Sequence, residues 1–369
     1  MAAPKLRFKN AKGAEFTSWV TSFIGDECKI TTGNKDTQNK IDGGKYPFFV
    51  RSQTVERINT YSKDCEAILT SGDGVGVGKN YHYINGKFDF HQRVYCLYDF
   101  SNQLLGKYLY IYFSNYFFDR VKRLSAKNSV DSVRMDMISK MEIKLPCLDE
   151  QTKIASFLSA VDEKISQLTQ KHALLSQYKQ GMMQKLFSQQ LRFKADDGSE
   201  FGEWEENQLL DLSTKKSSKV TAKDIEDNDG DYIVFGASGH FRNINSYTES
   251  ESYIAIVKDG AGAGRLFLMP EKSSVLGTLE IVKPNLNTQL NFLFYRMQLI
   301  DFSSYIKGST IPHVYFKDYS QEKIYLPCLE EQTKIANFLS AIDQKIEVVA
   351  QQIEQAKTWK KGLLQQMFV

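Results

Sequence analysis

The sequence predicts a mixed α/β fold: two globular α/β domains separated by two long antiparallel coiled-coil helices, with a pseudo-two-fold internal repeat. Three observations lead to this prediction. One long segment occurs twice, the repeated segment has the spacing of a packed helix, and the blocks between the copies differ in sequence. The chain has 369 residues, which is enough for two domains with separate cores.

The repeat is visible directly in the sequence. Residues 145–165 read LPCLDEQTKIASFLSAVDEKI and residues 326–346 read LPCLEEQTKIANFLSAIDQKI, with 17 of 21 positions identical. A second pair of similar segments, which we call tag one (5–19, KLRFKNAKGAEFTSW) and tag two (190–204, QLRFKADDGSEFGEW), opens each half. Self-similarity of this length indicates a duplicated architecture.

Both copies of the long segment are predicted to be helices. Their apolar residues recur in alternating steps of four and three, the heptad spacing of a helix that packs on a partner helix. Pro146 and Pro327 end the preceding strands, and Asp149 or Glu330 opens the first turn, where acidic groups favour a helix N-terminus. A helix from Asp149 to Phe187 would be roughly 58 Å long at about 1.5 Å per residue. The predicted helix-pair seam comprises Leu158, Val161, Ile165, Leu168, Leu175, Met182, Leu339, Ile342, Ile346, Val349, Ile353 and Leu363.

Connectivity makes the two helices antiparallel. If the second block is compact, the second helix begins near the end of the first and runs back. Tag one then lies at the C-terminal end of the second helix, where we expect Phe8, Phe16 and Trp19 to hold it, and Met1 lies close to Val369. The alternative is two ordinary amphipathic helices, each packed on its own domain.

The predicted boundaries follow the repeats. We expect a first domain over 1–146, a first conserved helix over 147–189, a second domain over 190–327 and a second conserved helix over 328–369. Strands are predicted at 67–72, 93–99, 253–260 and 275–284, and aromatic-rich core helices at 104–124 and 290–306.

Composition excludes several classes of protein. Hydrophobic content of 42% and charged content of 25% are typical of a soluble globular chain. No run is long enough to span a membrane, and the N-terminus lacks a signal-peptide core. The five cysteines show no metal spacing and are expected to be reduced, which predicts a cytoplasmic protein without a metal site. No arrangement of catalytic side chains is evident.

A glycine-rich motif also occurs twice, as DGVGVGK (73–79) and DGAGAGR (259–265). The spacing fits neither a P-loop nor a dinucleotide fingerprint. The motif is interpreted as a tight turn between strands. The alternative is a close backbone approach to a phosphate, with Lys79 or Arg265 beside it.

The doubled motif L-P-x-L-x-E-Q-x-K-I-A-x-F-L-x-x-x-D-x-K-I, each copy after a variable block, resembles the specificity (S, HsdS) subunit of a type I restriction-modification system. The resemblance covers the whole chain. It implies that each block is a target recognition domain reading one half of a split DNA sequence. It also implies that the helices set the spacing and bind two modification (methyltransferase) subunits, and that restriction (translocase/nuclease) subunits join through the complex. S-adenosylmethionine, ATP and Mg²⁺ would bind to those partners, leaving this chain without cofactor or catalysis.

The net charge of the chain is too small to indicate DNA binding by itself, so local clusters of basic residues would have to contact the DNA. The net charge is +3, with 18 Lys/Arg against 14 Asp/Glu over 20–144 and 13 against 16 over 205–325, whereas a lone DNA binder is usually more basic. Arginine suits guanine and asparagine suits adenine, although each candidate is equally consistent with a solvated surface residue. The DNA-binding candidates are Arg51, Lys79, Asn80, His82, Arg93, Lys122, Arg123, Lys127, Asn128, Lys219, Arg242, Asn243, Arg265, Lys307, Ser309, Thr310, His313 and Lys317.

Two other functions stay open on the sequence. One is an enzyme that uses the glycine turns to bind a nucleotide. The other is a coiled-coil adaptor whose blocks bind proteins without DNA specificity.

Overall fold

The structure, a computed structural model, describes residues 4–124, 132–225 and 229–368. The chain divides into two compact units. The first unit contains Met1–Leu168 and Gln352–Val369, and the second contains Thr169–Gln351. In the described part of the chain, no helix is long and apolar enough to cross a membrane.

The first unit is built around a mixed sheet. Its strands are β1 (Val20–Phe23), β2 (Lys29–Thr32), β3 (Tyr46–Phe49), β4 (Glu56–Ile58), β5 (Lys63–Ser71), β6 (Tyr81–Phe90), β7 (Val94–Tyr98) and β8 (Glu142–Leu145). The main sheet has the order β2-β7-β5-β6-β3-β4, and β1 pairs separately with β8. The β3–β6 pairing is parallel and the other pairings are antiparallel.

The α-helices that begin in the first unit include one of the two long helices, which continues into the second unit. They are α1 (Ile24–Glu27), α2 (Gly106–Leu124), α3 (Met135–Ser139) and α4 (Leu148–Phe187). A 3-10 turn spans Thr37–Asn39. Helix α4 is one of the two long helices expected from the repeat, and it continues through Gly181 without interruption.

The second unit has three smaller sheets. Its strands are β9 (Glu205–Gln208), β10 (Ser213–Ser217), β11 (Tyr232–Gly236), β12 (Gly239–Ile244), β13 (Tyr253–Val257), β14 (Leu266–Met269), β15 (Ser274–Val275), β16 (Leu279–Pro284) and β17 (Lys323–Leu326). In the described residues, the sheet orders are β10-β16-β13-β14, β12-β11-β15 and β17-β9.

The helices that begin in the second unit include the other long helix, which continues into the first unit. They are α5 (Leu209–Leu212), α6 (Leu290–Met297), α7 (Phe316–Tyr319) and α8 (Leu329–Met367), with 3-10 turns at Lys223–Ile225 and Phe302–Tyr305. The two long helices confirm that part of the predicted fold. The single helix expected over 290–306 is wrong, because α6 ends at Met297 and the Asp301 side chain accepts from Ser303 N to cap a separate turn.

Each unit buries an aromatic helix against a long helix. In the first unit, Tyr108 and Phe117 of α2 share a core with Leu158 of α4 and Leu364 near the end of α8. In the second unit, the core contains residues from α6 and the start of α8 together with Met183 and Leu186 of α4. Burying each such side chain contributes about 1.5–3 kcal/mol, so packing, more than helix propensity, stabilises these long helices.

In each unit the first part of one long helix packs near the last part of the other. Lys360 Nζ lies 2.6 Å from Asp162 Oδ1 in the first unit, and Lys179 Nζ lies 2.7 Å from Asp343 Oδ1 in the second. Both lysines occupy equivalent positions on the predicted apolar stripe, and a carboxylate neutralises each one.

Burial along the predicted seam is uneven. The side chains of Leu158 and Leu339 are fully buried, whereas Ile165, Leu175 and Ile346 are half-buried. Near the end of α4, Met182 is half-buried and its neighbour Met183 is buried instead. The strict heptad drifts by one residue there because an unstrained helix has 3.6 residues per turn.

Candidate functional site

A glycine-rich loop joins two antiparallel strands in each unit. Asp73–Lys79 connects β5 to β6, and Asp259–Arg265 connects β13 to β14. A strand follows each loop, whereas nucleotide-binding glycine loops lead into a helix whose N-terminus holds the phosphate. The structural context of the nucleotide-binding alternative is therefore missing, and the sequence's interpretation as a strand-to-strand turn agrees with the fold.

Glycine is required where each loop meets an aromatic side chain. Gly78 has a φ of +66° and Gly264 a φ of +89°, in the left-handed region that favours glycine. A Cβ on Gly78 would lie 2.1 Å from the Phe118 ring, and a Cβ on Gly264 would lie 2.5 Å from Phe302 Cβ. Both loops therefore pack directly on the aromatic segment of their own unit.

Backbone hydrogen bonds hold the first loop between two neighbouring segments. Gly72 N donates to Arg93 O at 2.8 Å, and Val133 N donates to Gly72 O at 2.7 Å. The loop is therefore fixed to the start of β7 on one side and to the segment before α3 on the other.

The second loop is held in the same way. Lys258 N donates to Thr278 O at 3.0 Å, and Val314 N donates to Lys258 O at 2.9 Å. By these bonds Thr278 occupies the place of Arg93, and Val314 occupies the place of Val133. The two loops are equivalent positions on a duplicated scaffold.

Each loop begins with an aspartate, Asp73 in the first unit and Asp259 in the second. We call each aspartate, together with the side chains around it, a loop corner. At the first corner, Arg51 Nη1 donates to Asp73 Oδ1 at 3.0 Å, and Arg93 Nε lies 3.7 Å from Asp73 Oδ2. Asn80 is buried and donates to Arg51 O at 2.8 Å and to Ser71 Oγ at 3.2 Å. The amide of Asn80, a DNA-binding candidate, is therefore used inside the fold.

The second corner has the same acid with different partners. His313 Nδ1 lies 2.8 Å from Asp259 Oδ1, and the His313 ring stacks on Tyr315 with centroids 6.0 Å apart. Arg265 Nη1 donates to Ala237 O at 3.2 Å. An imidazole therefore replaces the two guanidiniums of the first corner.

A glycine in each loop identifies the residue equivalent to Arg51. A Cβ on Gly76 would lie 2.6 Å from Arg51 O, and a Cβ on Gly262 would lie 3.3 Å from Ala237 O. Ala237 thus stands where the first unit has Arg51. The backbone arrangement is shared and the chemistry of the side chain is not.

The other candidates of the first loop differ in exposure. Lys79 is exposed at the end of the loop. His82 Nε2 lies 3.2 Å from Ser52 O, and burial lowers the pKa of the His82 imidazole. His82 is therefore partly buried, whereas Lys79 is exposed to solvent.

Lys122 and Arg123 lie on the exposed last turn of α2. Lys122 Nζ is 3.9 Å from Asp119 Oδ1, and Arg123 Nε donates to Asp119 O at 3.3 Å. Lys127 and Asn128 lie outside the described residues.

Several candidates of the second unit follow the 3-10 turn Phe302–Tyr305. Lys307 Nζ lies 2.7 Å from Asp318 Oδ2, and Lys317 Nζ lies 5.8 Å from the centroid of a tyrosine ring. Ser309 and Thr310 are exposed. Because Lys307 pairs through its backbone with His313, this segment borders the second loop corner.

The remaining candidates lie on β12 and the segment after β10. Lys219 is exposed. Arg242 Nη1 donates to Ile225 O, and Asn243 Oδ1 lies 2.8 Å from His240 Nε2. In residues 4–124, 132–225 and 229–368, no cluster of three or more His, Cys, Asp or Glu side chains could hold a metal ion.

The sequence did not reveal the contact that holds tag one. We call this contact, in which an arginine and a tryptophan of the tag bind a buried glutamate of a long helix, the anchor. Glu150 is fully buried at the start of α4, and Arg7 binds it through Nε at 3.0 Å and Nη2 at 2.7 Å. Trp19 Nε1 donates to the same carboxylate at 3.0 Å. The hydrogen bond to Glu150 raises the pKa of Arg7. A bidentate pair of this kind is strong and geometrically specific.

Tag two has the same anchor on the other helix. Arg192 binds the fully buried Glu331 through Nε at 3.1 Å and Nη2 at 2.8 Å, and Trp204 Nε1 donates to it at 2.9 Å. The signal was present in the sequence, since both tags carry this Arg and Trp and both helices carry this Glu. The sequence comparison alone did not show that they meet.

The next residue of each helix holds the loop before the aromatic helix. Gln151 donates to Gln103 O at 2.7 Å, and Gln332 donates to Asn287 O at 3.1 Å. The Glu-Gln pair in each repeat therefore joins a tag and a variable block to one helix start.

The tag contacts expected from the sequence are partly present. Leu6 N donates to Gln366 O at 3.0 Å, which places tag one at the end of α8 as predicted. Phe8 packs on Phe157 of α4 with ring centroids 5.6 Å apart, so its partner is the other long helix. Met1 and Val369 themselves lie outside the described residues.

Comparison with known proteins identifies the family. The model of the type I restriction modification DNA specificity domain matches residues 17–177 and 202–358. A putative type I restriction enzyme MjaX specificity subunit of Methanocaldococcus jannaschii is 30% identical over 267 residues, which is 65% of this chain and 61% of that protein. The type I restriction enzyme EcoDI specificity subunit of Escherichia coli is 27% identical over 172 residues, covering 45% of this chain and 37% of that one. The matches thus span about two fifths to three fifths of these relatives.

Solved structures share the fold over nearly the whole chain. The type I restriction-modification S subunit from M. genitalium has a TM-score of 0.75 at 18% identity, covering 100% of this chain and 99% of that one. A chain from work on complex assembly and conformational transition of the type I R-M system has a TM-score of 0.54 at 14% identity, with coverages of 96% and 98%.

Proposed function

Because the chain belongs to the type I restriction modification DNA specificity family, we propose that it recognises a bipartite DNA target, each unit reading one half. The observation that carries this proposal is the pair of loop corners. One duplicated backbone presents two arginines at Asp73 and a histidine at Asp259. A scaffold that repeats while its exposed side chains change is suited to reading two different sequences.

The long helices are proposed to form an antiparallel coiled coil that sets the distance between the two half-sites. The heptad spacing and the two Lys–Asp pairs support this role. The domain boundaries proposed with it are 1–146, 147–189, 190–327 and 328–369. Changing the length of the helices should then change the gap between the half-sites and leave the bases of each half unaltered.

Catalysis is proposed to reside in partner subunits. Two modification (methyltransferase) subunits would bind to the helices, and restriction (translocase/nuclease) subunits would join through the complex. S-adenosylmethionine, ATP and Mg²⁺ would bind to those partners. The M. jannaschii and E. coli relatives, described as restriction enzyme specificity subunits, support this assignment.

The proposed DNA-contacting surface includes the exposed candidates around the loops. In the first unit these are Arg51, Lys79 and Arg93, and in the second they are Arg265 and the partly exposed His313. Phosphate contacts by the remaining lysines would supply affinity without sequence information.

A block replacement tests the proposal. Residues 20–144 are exchanged for the same block of a relative, and the methylated motif is determined by single-molecule sequencing in the presence of the methyltransferase subunits. We expect one half of the motif to change and the other half and the gap to stay. Exchange of 205–325 is the matched control and should change only the other half.

The opposite results are informative. A motif that changes in both halves after either exchange would contradict one unit reading one half-site. A complex that binds no DNA, with the methyltransferase subunits present and assembled, would favour the protein-binding adaptor instead.

A further inference from the structure

The first loop corner presents two arginines in a fixed arrangement. Arg51 and Arg93 approach the two oxygens of one carboxylate, Asp73, and their side chains are 46% and 66% exposed while Asp73 is 27% exposed. Ion pairs at a surface contribute little to stability. Two exposed guanidiniums held by one half-buried acid are therefore better explained by recognition than by folding.

Hydrogen bonds hold the backbone under these arginines. Arg51 O accepts from the buried Asn80, and Arg93 O accepts from Gly72 N. Arg93 N in turn donates to His91 Nδ1 at 2.9 Å, and His91 is only 3% exposed. Groups positioned in this way before binding lose little entropy when a ligand arrives.

The donors left on each guanidinium suit a base edge. Arg51 uses Nη1 for Asp73, and in the described part of the chain its Nε–Nη2 edge has no hydrogen-bond partner. Two parallel N–H groups on such an edge match O6 and N7 of guanine in the major groove. Arg93 approaches Asp73 through Nε and its side chain is 66% exposed, and in the described residues its Nη1 and Nη2 have no hydrogen-bond partner.

Charge favours a base over a phosphate as the ligand. The carboxylate of Asp73 lies between the two cations, so the corner carries about one net positive charge instead of two. The acid therefore weakens the attraction of the corner for a phosphate at short range. A guanine edge is neutral, and an acid that orients arginine improves the geometry of a bidentate contact.

The apolar side chain at the tip of the loop also favours a DNA base as the ligand. Val75, two residues after Asp73, is 94% exposed. An apolar side chain beside arginines can contact a thymine methyl group or the floor of a groove. In the second unit Ala237 and Thr278 replace the arginines, so this corner belongs to one unit only.

We propose that Arg51 and Arg93, oriented by Asp73, read guanine in the major groove of the half-site bound by the first unit. The inference rests on the proposed DNA-recognition function and adds the residues and the base. It requires that this half-site contain at least one G·C pair.

The experiment uses the full chain assembled with its methyltransferase subunits. The wild-type motif is determined by single-molecule sequencing, and binding is then measured by competition with duplexes in which each base pair of the motif is changed in turn. Arg51→Lys and Arg93→Lys keep the charge and lose the planar fork. Each should reduce discrimination at one G·C position of one half-site by roughly 5- to 150-fold, with the other half-site as internal control.

A second variant separates base reading from charge. Lys79→Ala removes a cation of the DNA-contacting surface and should weaken binding to all duplexes by a similar factor, without relaxing any base position. Asp73→Asn should weaken discrimination at the same positions as the two lysine variants, because the orienting acid is lost.

Several outcomes would overturn the inference. These are equal weakening on all duplexes, which identifies phosphate contacts, no change at all, or relaxation in the half-site of the second unit. A first half-site made only of A·T pairs would also overturn it. A wild-type complex without any preferred motif would instead contradict the proposed function, so the two failures are distinguishable.

Discussion

The two units use the same anchor and different loop corners. Arg7 and Trp19 bind Glu150 with distances that agree within about 0.1 Å with those of Arg192 and Trp204 on Glu331. At the loop corners, a shared aspartate meets two arginines in one unit and a histidine in the other. Buried, fully bonded groups tolerate little change because an unpaired partner is expensive, whereas exposed corners are free to diverge.

This difference separates two kinds of residue in one chain. The anchors join tag, helix and block through buried, fully bonded carboxylates, so we expect them to matter for the stability of each unit. The corners contribute little to folding and are where the chemistry of the two units diverges. Four changes, from the largest expected effect to the smallest, test how far the units are equivalent.

The largest effect is expected at the cores. Leu158 and Leu339 occupy equivalent positions, and both are fully buried. Leu158→Asp or Leu339→Asp places an unpaired charge there, at a cost of several kcal/mol against a total stability of about 5–15 kcal/mol. We expect loss of the helix packing and of assembly with methyltransferase subunits, measured by thermal unfolding and gel filtration. A doubly substituted chain that still elutes in an intact complex would contradict this.

Removing the arginine of an anchor should have the next largest effect. Arg7→Leu leaves Glu150 buried without its partner, and we expect a loss of about 3–5 kcal/mol in the first unit. Arg192→Leu should do the same in the second unit. Hydrogen exchange resolved along the chain measures which unit is destabilised.

The control for the anchor variants removes the buried negative charge as well as the arginine. Glu150→Gln combined with Arg7→Leu should recover part of the lost stability, because the buried charge is gone. Equal protection of both units in the Arg7→Leu chain would show that the anchor is not local to its unit.

A charge reversal between the long helices should have a smaller effect. Lys179 is only 15% exposed and faces Asp343, which is 37% exposed, so for Lys179→Glu we expect destabilisation of about 1–3 kcal/mol, less than at the anchors. Adding Asp343→Lys should restore most of it in a urea titration, although Asp343 also accepts from Tyr295 OH at 2.8 Å. Lys360→Glu with Asp162→Lys is the matched pair in the first unit, and strictly additive effects in both pairs would exclude these contacts.

The smallest effect on folding and on the methylated motif is expected for a circular permutant. Tag one already lies at the end of α8 through the bond from Leu6 N to Gln366 O. Joining Val369 to Met1 by a short linker and reopening the chain near residue 188 should therefore give a folded protein with the same methylated motif. A permutant that assembles poorly or methylates a different motif would show that the two tags are not equivalent.

Part of this architecture could be predicted from the sequence. The repeated segments predicted helices that the structure places at Leu148–Phe187 and Leu329–Met367, because heptad spacing and helix-start signals act within a few turns. The glycine motifs predicted turns between strands for the same reason. The expected helix over 290–306 was wrong past Met297, since an aspartate cap there ends the pattern locally.

The contacts that give the loops their chemistry were decided by tertiary structure. Arg51 and Asp73 are 22 residues apart, and Arg7 and Glu150 are 143 apart. Whether such groups meet depends on strand order and register, which no local pattern reports. For the same reason, the sequence alone did not show that the Asn80 side chain would be buried and would donate to Arg51 O. The sequence by itself determined the repeat, the helices and the family, whereas only the folded chain decided which charges face each other.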